Sequence, residues 1–455
     1  RPFFLEGVDI FQTPIQAVYT RKVENPDVAL KLTGKVGKNS FGIFGAVDDP
    51  LSNPYAKKAF IGVARFKRDF GKESNIGFLA TSYNYPNKHN QLAGFDGRWK
   101  INKSSEFNAQ ILGTTSKNYF YNPDKDSMDY RVGNGISYSY SYSYEGKNHI
   151  GGVTGDGTTR DYRSDVGFFG QTNTMNNSFY VGANSDPHPK NTIIQKFATA
   201  SFGTVNDFYG RLQGWGLNTN FTFSMKGNMQ IGGGGSVGLS NIYEDEFGPK
   251  RNAAQSGAFF NGPKRDVHTW GGFGTFNRNF NKKFAMNSNV NLFFNTFDYD
   301  FGAGSKFPRV SPAALLFGQG APLDPGAAKN FVFKIAATYR PTNQMNFAFS
   351  YRKSTLTRND TGRLAYDSNI FQFLTRYQFS TFVSLRTRID YDTLTSRMFG
   401  QYTFAWTPSP GKSLFIGYND NWNYKGFAFG QPQTGFLQLN RTFFVKLSYL
   451  FQKRF

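Results

Sequence analysis

Residues 137–144 read Ser-Tyr-Ser-Tyr-Ser-Tyr-Ser-Tyr, so Tyr138, Tyr140, Tyr142 and Tyr144 alternate with serines. Successive side chains of an extended strand point to opposite faces, and the four tyrosines would therefore share one face. At a rise of about 3.3 Å per residue they cover roughly 20 Å. An outer-membrane barrel has an apolar band about 25 Å tall. The run therefore predicts a membrane-spanning strand with an aromatic, lipid-facing side and a polar opposite side.

The same period of two recurs along the chain. In 331–340 and 345–352, Phe331, Phe333, Phe347 and Phe349 alternate with smaller or polar residues, and we predict that these aromatics also face lipid. A soluble β-sandwich alternates too, but the repetition with large aromatics favours a membrane barrel. We predict an all-β fold, a transmembrane antiparallel up-and-down β-barrel of about 22 strands, within a range of roughly 18 to 24.

Composition agrees with strands rather than membrane helices. The 455 residues include 51 Phe, 25 Tyr and 49 Gly, and the mean hydropathy is −0.50. Aromatic residues favour strands and glycines mark turns. No stretch of the sequence approaches the roughly 18 consecutive apolar residues that a membrane helix needs. A spanning strand needs only about 9–11 residues with every second one apolar.

Turn lengths divide into two classes, as expected for such a barrel. Short turns fall near residues 37–39, 102–104 and 341–344, and longer connections fall between them, as at 300–328. With 13–22 as a first strand, both termini would be periplasmic. We therefore predict a periplasmic N-terminal segment or lumen plug over 1–12 and the barrel over 13–455. Connections as long as 300–328 tend to be functional, and this one would be an external lid or fold into the pore.

The last strand predicts how the barrel is assembled. One face carries alternating, mostly apolar residues up to a terminal aromatic, which resembles the signal that the barrel-assembly machinery reads by strand pairing. Its residues are Phe443, Val445, Leu447, Tyr449, Phe451 and Phe455.

Basic residues occupy the polar face of four successive predicted strands, where they could form one wall of the lumen. They are Lys334, Arg340, Arg352, Arg376, Arg386 and Arg388. The functional interpretation is an anion-attracting lining or a docking face for a carboxylate or phosphate. The structural alternative, which we weight more heavily, is a network that pairs with Asp390 and other acidic residues.

The excess of 52 Lys and Arg over 31 Asp and Glu gives a formal charge of +21. We expect outer-membrane lipid and lipopolysaccharide as partners, with envelope proteins as further candidates. No nucleic-acid-binding motif is present, so nucleic acid is not expected. The acidic clusters near Asp124 and Glu244 lack the spacing of a calcium loop. Without an HExxH or GxSxG motif, we predict no catalytic residue, no metal site and no cofactor.

Several short stretches resemble a poorly characterised family of bacterial outer-membrane barrels. They are RPFFLEG (1–7), IFQTPIQAVYTRKV (10–23), ALKLTGKVG (29–37), DYRSDVGFFG (161–170) and SPGKSLFIGYND (409–420). In that family the barrel follows an N-terminal domain similar to family 9 carbohydrate-binding modules. The resemblance implies a signal peptide and a periplasmic β-sandwich upstream of Arg1. It implies no agreed substrate or reaction.

Three functions remain open from the sequence. The first is an outer-membrane barrel that passes or docks a saccharide-derived or anionic solute together with a periplasmic domain. The second is a plugged, non-conducting scaffold barrel in an envelope complex. The third and least favoured is a barrel-borne hydrolase.

Overall fold

Strands make up nearly all of the ordered secondary structure. The structure is a computed structural model, which describes residues 7–51, 53–424 and 435–450. The described residues form 21 strands: β1 Pro26–Val36, β2 Asn39–Asp48, β3 Ala59–Phe70, β4 Ser74–Tyr85, β5 Lys88–Lys100, β6 Ser105–Asn122, β7 Ser127–Glu145, β8 His149–Thr158, β9 Thr174–Asn184, β10 Ile193–Asn206, β11 Leu212–Met225, β12 Met229–Tyr243, β13 Lys264–Asn279, β14 Phe284–Asp298, β15 Gly326–Tyr339, β16 Met345–Arg358, β17 Leu364–Gln378, β18 Val383–Asp392, β19 Arg397–Ser409, β20 Lys412–Tyr424 and β21 Phe436–Tyr449.

Each strand follows its predecessor in an up-and-down order. Consecutive strands pair antiparallel from β1 to β9 and from β13 to β21. All 21 belong to one sheet. The predicted all-β, up-and-down architecture is confirmed, and 21 strands fall within the predicted range.

Helical structure in the described part is limited to one short α-helix, α1 (Pro312–Phe317), and 3-10 turns at Val8–Phe11, Thr20–Lys22 and Glu244–Glu246. Ser311 caps α1 by accepting a hydrogen bond from the Ala314 amide, and Pro312 occupies the first turn, where no amide donor is needed. No described helix is long and apolar enough to cross a membrane.

Residues 13–22, which we predicted as the first strand, form no strand; β1 begins at Pro26. Their alternating Ile15, Ala17 and Tyr19 imitate a strand. The backbone is nevertheless bound elsewhere, because the Ile15 amide donates to the Gln110 side chain and the Tyr19 amide donates to the Val166 carbonyl. Without a ladder partner this segment cannot be the additional strand that the sequence suggested.

The chain divides into two compact units. Unit 1 contains Arg1–Asn184, Thr199–Leu217 and Ser240–Gly257, and unit 2 contains Ser185–Ala198, Asn218–Leu239 and Ala258–Phe455.

In unit 1 the register of β2–β7 gives the sheet two chemically different faces. The aromatic face carries a row of mostly large side chains that lie opposite one another on neighbouring strands: Phe41, Phe66, Phe78, Phe95, Ile111 and Tyr138. Several of these are about half exposed, including Phe95 at 58%. The other side, which we call the packed face, carries a buried row of Phe44, Ile61, Leu79, Leu92 and Leu112.

The buried core of unit 1 lies on the packed face. Phe11, Ala17 and Val23 from before β1, and Tyr162 and Val166 from the β8–β9 connection, complete the same cluster. Non-strand segments therefore cover the packed face and leave the aromatic face open, which is the burial expected when lipid faces one side of a sheet.

In unit 2 the longest described connection, residues 299–325 between β14 and β15, folds around a buried carboxylate. Asp300 Oδ2 accepts hydrogen bonds from the Arg309 guanidinium at 2.6 Å, from Ser311 at 2.8 Å and from the Asp324 amide at 3.0 Å. Arg309 also donates to the carbonyls of residues 319, 321 and 322. The connection is therefore a structured loop rather than an open coil.

Candidate functional site

The N-terminal segment, residues 7–25, crosses the packed face of unit 1 and is tied to it by side chains of the strands. The Arg65 guanidinium of β3 pairs with Asp96 of β5, and its Nε donates to the Ile10 carbonyl at 3.2 Å. Gln110 of β6 accepts from the Ile15 amide at 2.6 Å. Arg65 and Asp96 are both buried, so this ion pair links two strands and the segment in a region of low water access.

The β8–β9 connection folds onto the same face and contacts the N-terminal segment. The Phe168 amide donates to the Gln16 carbonyl and the Tyr19 amide donates to the Val166 carbonyl, both at 2.9 Å. Residues 7–25 and 159–170 together form what we call the covering layer. Two of the stretches that carry the family resemblance, 10–23 and 161–170, are thus in direct contact.

Asn90 and Gly135 let the connection approach the strands closely. The Asn90 side chain, fully buried, donates to the Arg163 carbonyl and accepts from the Asp165 amide. A Cβ at Gly135 would lie 2.4 Å from the Tyr162 backbone, so only glycine fits there. The same approach buries the Tyr162 ring, and burial raises the pKa of its phenol.

A cavity of about 700 Å³ opens where the covering layer meets the strands. It lies at the end of the strands that carries the β2–β3 and β8–β9 connections. Aromatic groups, cations and carboxylates line it together. They are Lys22, Glu24, Asp48, Tyr83, Tyr85, Lys88, Arg163, Ser164, Asp165, Phe168 and Phe169, with Pro50, Leu51, Pro54 and Gly167. Its size is within the range of about 300–1,000 Å³ that is common for small-molecule sites.

A second, smaller cavity of about 350 Å³ lies in unit 1 beside the β10–β11 and β12–β13 connections. Arg211 sits between the rings of Tyr209 and Tyr243 and pairs with Asp207 and Asp245. Burial opposes the charge of Arg211, but its hydrogen bonds to Asp245 and Asp207 outweigh burial and raise its pKa. Arg211 thereby contacts Tyr209 and Asp245, which both line the cavity.

Glu246, on the same wall, has an altered acidity. Burial is the largest cause and raises the pKa of its carboxyl, and the negative charge of Asp245 acts in the same direction, although a hydrogen bond from Gln213 opposes both. Glu244, buried, pairs with Arg251. The acidic run at 244–246 is therefore held in ion pairs and hydrogen bonds. The described residues contain no group of three or more metal-ligating side chains.

In unit 2 the predicted basic residues share the face of β15–β18 opposite the aromatics, but they form separate groups. Lys334 lies directly opposite Arg352, and Arg376 directly opposite Arg386. Arg352 is opposite Ile370, six residues along β17 from Arg376, so the two pairs are about 20 Å apart. Arg340 lies beyond the end of β15, beside the Asn281–Lys283 turn.

The hydrogen-bond partners of these basic side chains differ from one residue to the next. Arg388 donates to Asp390 at 2.7 Å, and Arg376 donates to Gln378 at 3.1 Å. For Lys334, Arg340, Arg352 and Arg386, no side-chain partner is found within the described part of the chain. Like charges directly opposite on a sheet are destabilising. Of these six residues, Arg388 is the one with an acidic partner in the described part of the chain, so the acidic pairing network accounts for Arg388 alone.

The predicted lipid-facing aromatics share faces as the sequence suggested. Tyr138 of β7 lies opposite Ile111 in the aromatic row of unit 1. The other three tyrosines follow on the same side of β7. In unit 2, Phe347 stacks on Phe373 and Phe333 meets Tyr351. Phe331 and Phe349 are on that same side. Whether lipid covers these faces stays a prediction.

In β21, Phe443, Val445, Leu447 and Tyr449 share one exposed face. Phe451 and Phe455 lie outside the described residues, so the terminal part of the predicted assembly signal stays a prediction.

Sequence reasoning did not single out Asn90, Arg163 or Asp165 as site residues. Asn90 stands in a strand whose period of two gives no hint of a buried amide. Arg163 and Asp165 fall within the stretch DYRSDVGFFG, whose dense mixture of charged and aromatic residues in a connection was the available signal.

Comparison with known proteins shows which known fold this chain shares. No protein-family model matches the chain, and no curated protein matches it either. The ferric enterobactin receptor of Pseudomonas aeruginosa is similar in structure, with a TM-score of 0.56 at 9% identity over 92% of this chain and 77% of that one. The chain has the fold of an outer-membrane β-barrel.

Two further solved structures agree. The siderophore receptor PirA of Pseudomonas aeruginosa has a TM-score of 0.51 at 11% identity, over 93% of this chain and 78% of that one. The copper transporter OprC has a TM-score of 0.52 at 12% identity, over 92% of this chain and 79% of that one. The predicted transmembrane antiparallel β-barrel fold is confirmed, and the outer-membrane location follows from that fold; identities this low show nothing about substrate or role.

Proposed function

We propose that this chain is an outer-membrane barrel for solute passage, closed at rest by the covering layer of unit 1. The carrying observation is that residues 7–25 and 159–170 are packed and hydrogen-bonded onto the packed face, which we take as the lumenal face because the opposite face exposes aromatics. The structural neighbours named as a ferric enterobactin receptor, a siderophore receptor and a copper transporter support a role in solute uptake.

Four cations of unit 2 that have no carboxylate partner in the described part of the chain support an anion preference for the passage. Lys334 with Arg352, and Arg376 with Arg386, place like charges opposite each other at a cost in stability. A lumen lined in this way raises the local concentration of anions. The paired Arg388 contributes less to this field, because Asp390 neutralises it.

Conductance in a planar bilayer tests the closed state. The variant Arg65→Met with Asp96→Leu removes both partners of the buried pair, which avoids leaving a lone buried charge, and it releases the Ile10 carbonyl. We expect rare, brief current steps from the wild type and at least several-fold more open time from the double variant.

The control is Lys35→Met with Asp69→Leu, an exposed pair on β1 and β3, which should leave the current unchanged. In the same recordings, Arg376→Glu with Arg386→Glu should reduce anion selectivity, whereas Lys57→Glu in the β2–β3 connection should not. If neither the wild type nor the variant Arg65→Met with Asp96→Leu passes current, solute passage is contradicted.

The alternative is a non-conducting scaffold barrel, favoured by an apolar tip on the β14–β15 connection. Leu316 and Phe317 at the end of α1 are 75% and 65% exposed although the loop beneath them is rigidly bonded. Exposed apolar groups on a structured loop suit an envelope protein partner. Absence of current from both the wild type and the variant Arg65→Met with Asp96→Leu would favour the scaffold function.

We also propose that the chain is the barrel part of the resembled family, with a periplasmic carbohydrate-binding-module-like domain encoded upstream of Arg1. Contact between the stretches 10–23 and 161–170 supports the resemblance, because both then serve the same covering layer. Reading the coding sequence upstream of Arg1 tests this. Outer-membrane lipid, lipopolysaccharide and the barrel-assembly machinery remain the proposed partners.

A further inference from the structure

The cavity of about 700 Å³ in unit 1 is lined equally by both signs of charge. Lys22, Lys88 and Arg163 are its cations, and Glu24, Asp48 and Asp165 are its carboxylates. A ligand with a net charge gains little field from such a balanced wall, because attraction to one set is offset by repulsion from the other. A neutral ligand with many hydroxyls can donate to the carboxylates and accept from the cations at the same time.

Two polar atoms of the lining residues Arg163 and Asp165 lack partners in the described part of the chain, and both are shielded from solvent. Asp165 donates its amide proton to Asn90 and accepts from Arg163 through Oδ1 at 3.1 Å, but its Oδ2 accepts nothing. The Nε of Arg163 donates to nothing. The Asp165 side chain is 5% exposed, so leaving its acceptor unsatisfied is costly.

When the two side chains turn toward the cavity, one hydroxyl group can satisfy both atoms, since it accepts from an N–H and donates to a carboxylate oxygen. A carboxylate or phosphate ligand could accept from Arg163 but would be repelled by Asp165. An ammonium ligand would have the opposite difficulty. The unsatisfied donor and acceptor therefore select a hydroxyl rather than an ion.

Aromatic rings supply the remaining surface. Phe168 is 62% exposed, although it lies between two buried or half-buried neighbours of the covering layer. Tyr83 lies under the Lys88 ammonium at 5.5 Å, and Phe169 packs edge-on against Tyr162. Flat apolar rings beside charged donors and acceptors fit a ring-shaped molecule with apolar C–H faces and polar edges.

We propose that this cavity binds a neutral oligosaccharide of a few sugar units, with Asp165 and Arg163 holding one hydroxyl and Phe168 stacking on a sugar ring. This proposal rests on the proposed function in one respect: the site borders Lys22 and Glu24 of the N-terminal segment, so the bound neutral saccharide would be a signal that acts on the covering layer, distinct from the anionic solute that the passage prefers.

Binding is measured by calorimetry on the whole purified barrel in detergent, with maltotriose and cellotriose as neutral probes, trigalacturonate as the anionic probe and triglycine as the zwitterionic probe. We expect at least one neutral trisaccharide to bind more tightly than trigalacturonate or triglycine. Asp165→Asn, which keeps the size of the side chain, should weaken that binding about tenfold or more, because the amide nitrogen cannot accept the hydroxyl proton. Phe168→Ala should weaken it several-fold.

Matched controls separate the site from general damage. Asp124→Asn changes an exposed carboxylate in the β6–β7 turn, and Phe301→Ala removes a ring that is 65% exposed on another loop. Neither should alter binding. Heat-modifiable migration on gels shows that each variant is folded, and Phe168→Ala still tests the site if Asp165→Asn fails to fold.

Absence of neutral trisaccharide binding, tighter binding of trigalacturonate or triglycine, or equal binding by wild type, Asp165→Asn and Phe168→Ala would each overturn the proposal. Failure of the two proposals is distinguishable. A barrel that binds a trisaccharide but conducts in no variant contradicts solute passage alone. Current through the variant Arg65→Met with Asp96→Leu, in a protein that binds no saccharide, contradicts this site alone.

Discussion

At the scale of single residues, Glu246, whose side chain is 20% exposed, shows how partial burial changes the chemistry of one group. Because burial raises the pKa of its carboxyl above the ordinary value of 4.5, the folded state holds the proton more tightly than the unfolded state. The stabilisation of the folded state by protonated Glu246 is complete when the pH is below the ordinary pKa. It is lost as the pH rises through the raised pKa. We expect Glu246→Gln to gain thermal stability relative to wild type as the pH rises from about 4 to 7, measured as the unfolding midpoint by heat-modifiable migration. Glu73→Gln, an exposed change in the β3–β4 turn, is the control. A difference between Glu246→Gln and wild type that shrinks with rising pH would contradict the assignment.

At the scale of one element, the β14–β15 connection depends on a single buried carboxylate. Asp300, buried, holds Arg309, Ser311 and the Asp324 amide together. Removing one partner of a buried ion pair costs about 3–5 kcal/mol. Asp300→Asn should therefore loosen this loop, and trypsin should cleave after Lys306 or Arg309 several-fold faster in the variant. Asp266→Asn, an exposed change on β13, is the control. Unchanged cleavage of Asp300→Asn would show that the loop is held by other contacts.

At the scale of the whole molecule, turn lengths predict an orientation in the membrane. In unit 1 the β5–β6 turn containing Lys103 and the β6–β7 turn containing Lys125 lie at opposite ends of β6. The β5–β6 turn shares its end with the short turns, which outer-membrane barrels place on the periplasmic side. The chain contains no cysteine, so single cysteines report cleanly. We expect a membrane-impermeant maleimide to label Lys125→Cys on intact cells and Lys103→Cys only after the outer membrane is permeabilised. The reverse pattern would contradict the orientation.

The amino-acid sequence by itself determined the strands, their two faces and the barrel, because a period of two is a local property that burial on one side imposes on every strand. The Ser-Tyr run at 137–144 and the alternation around Phe331 and Phe347 are examples. It could not determine what Ile15, Ala17 and Tyr19 do, because their alternation fits a paired strand and a packed segment equally well.

Only the tertiary structure decided that residues 13–22 form a packed segment and not a paired strand. The outcome depends on where their backbone groups find partners. Those partners, Gln110 and Val166, are distant in sequence. The same holds for the basic residues. Sequence places Lys334, Arg352, Arg376 and Arg386 on one face, but register separates them into two opposed pairs. The cavity with Arg163 and Asp165 likewise exists only because a connection folds back onto the strands. Periodicity is written in neighbouring residues, whereas register and return contacts are fixed by long-range packing.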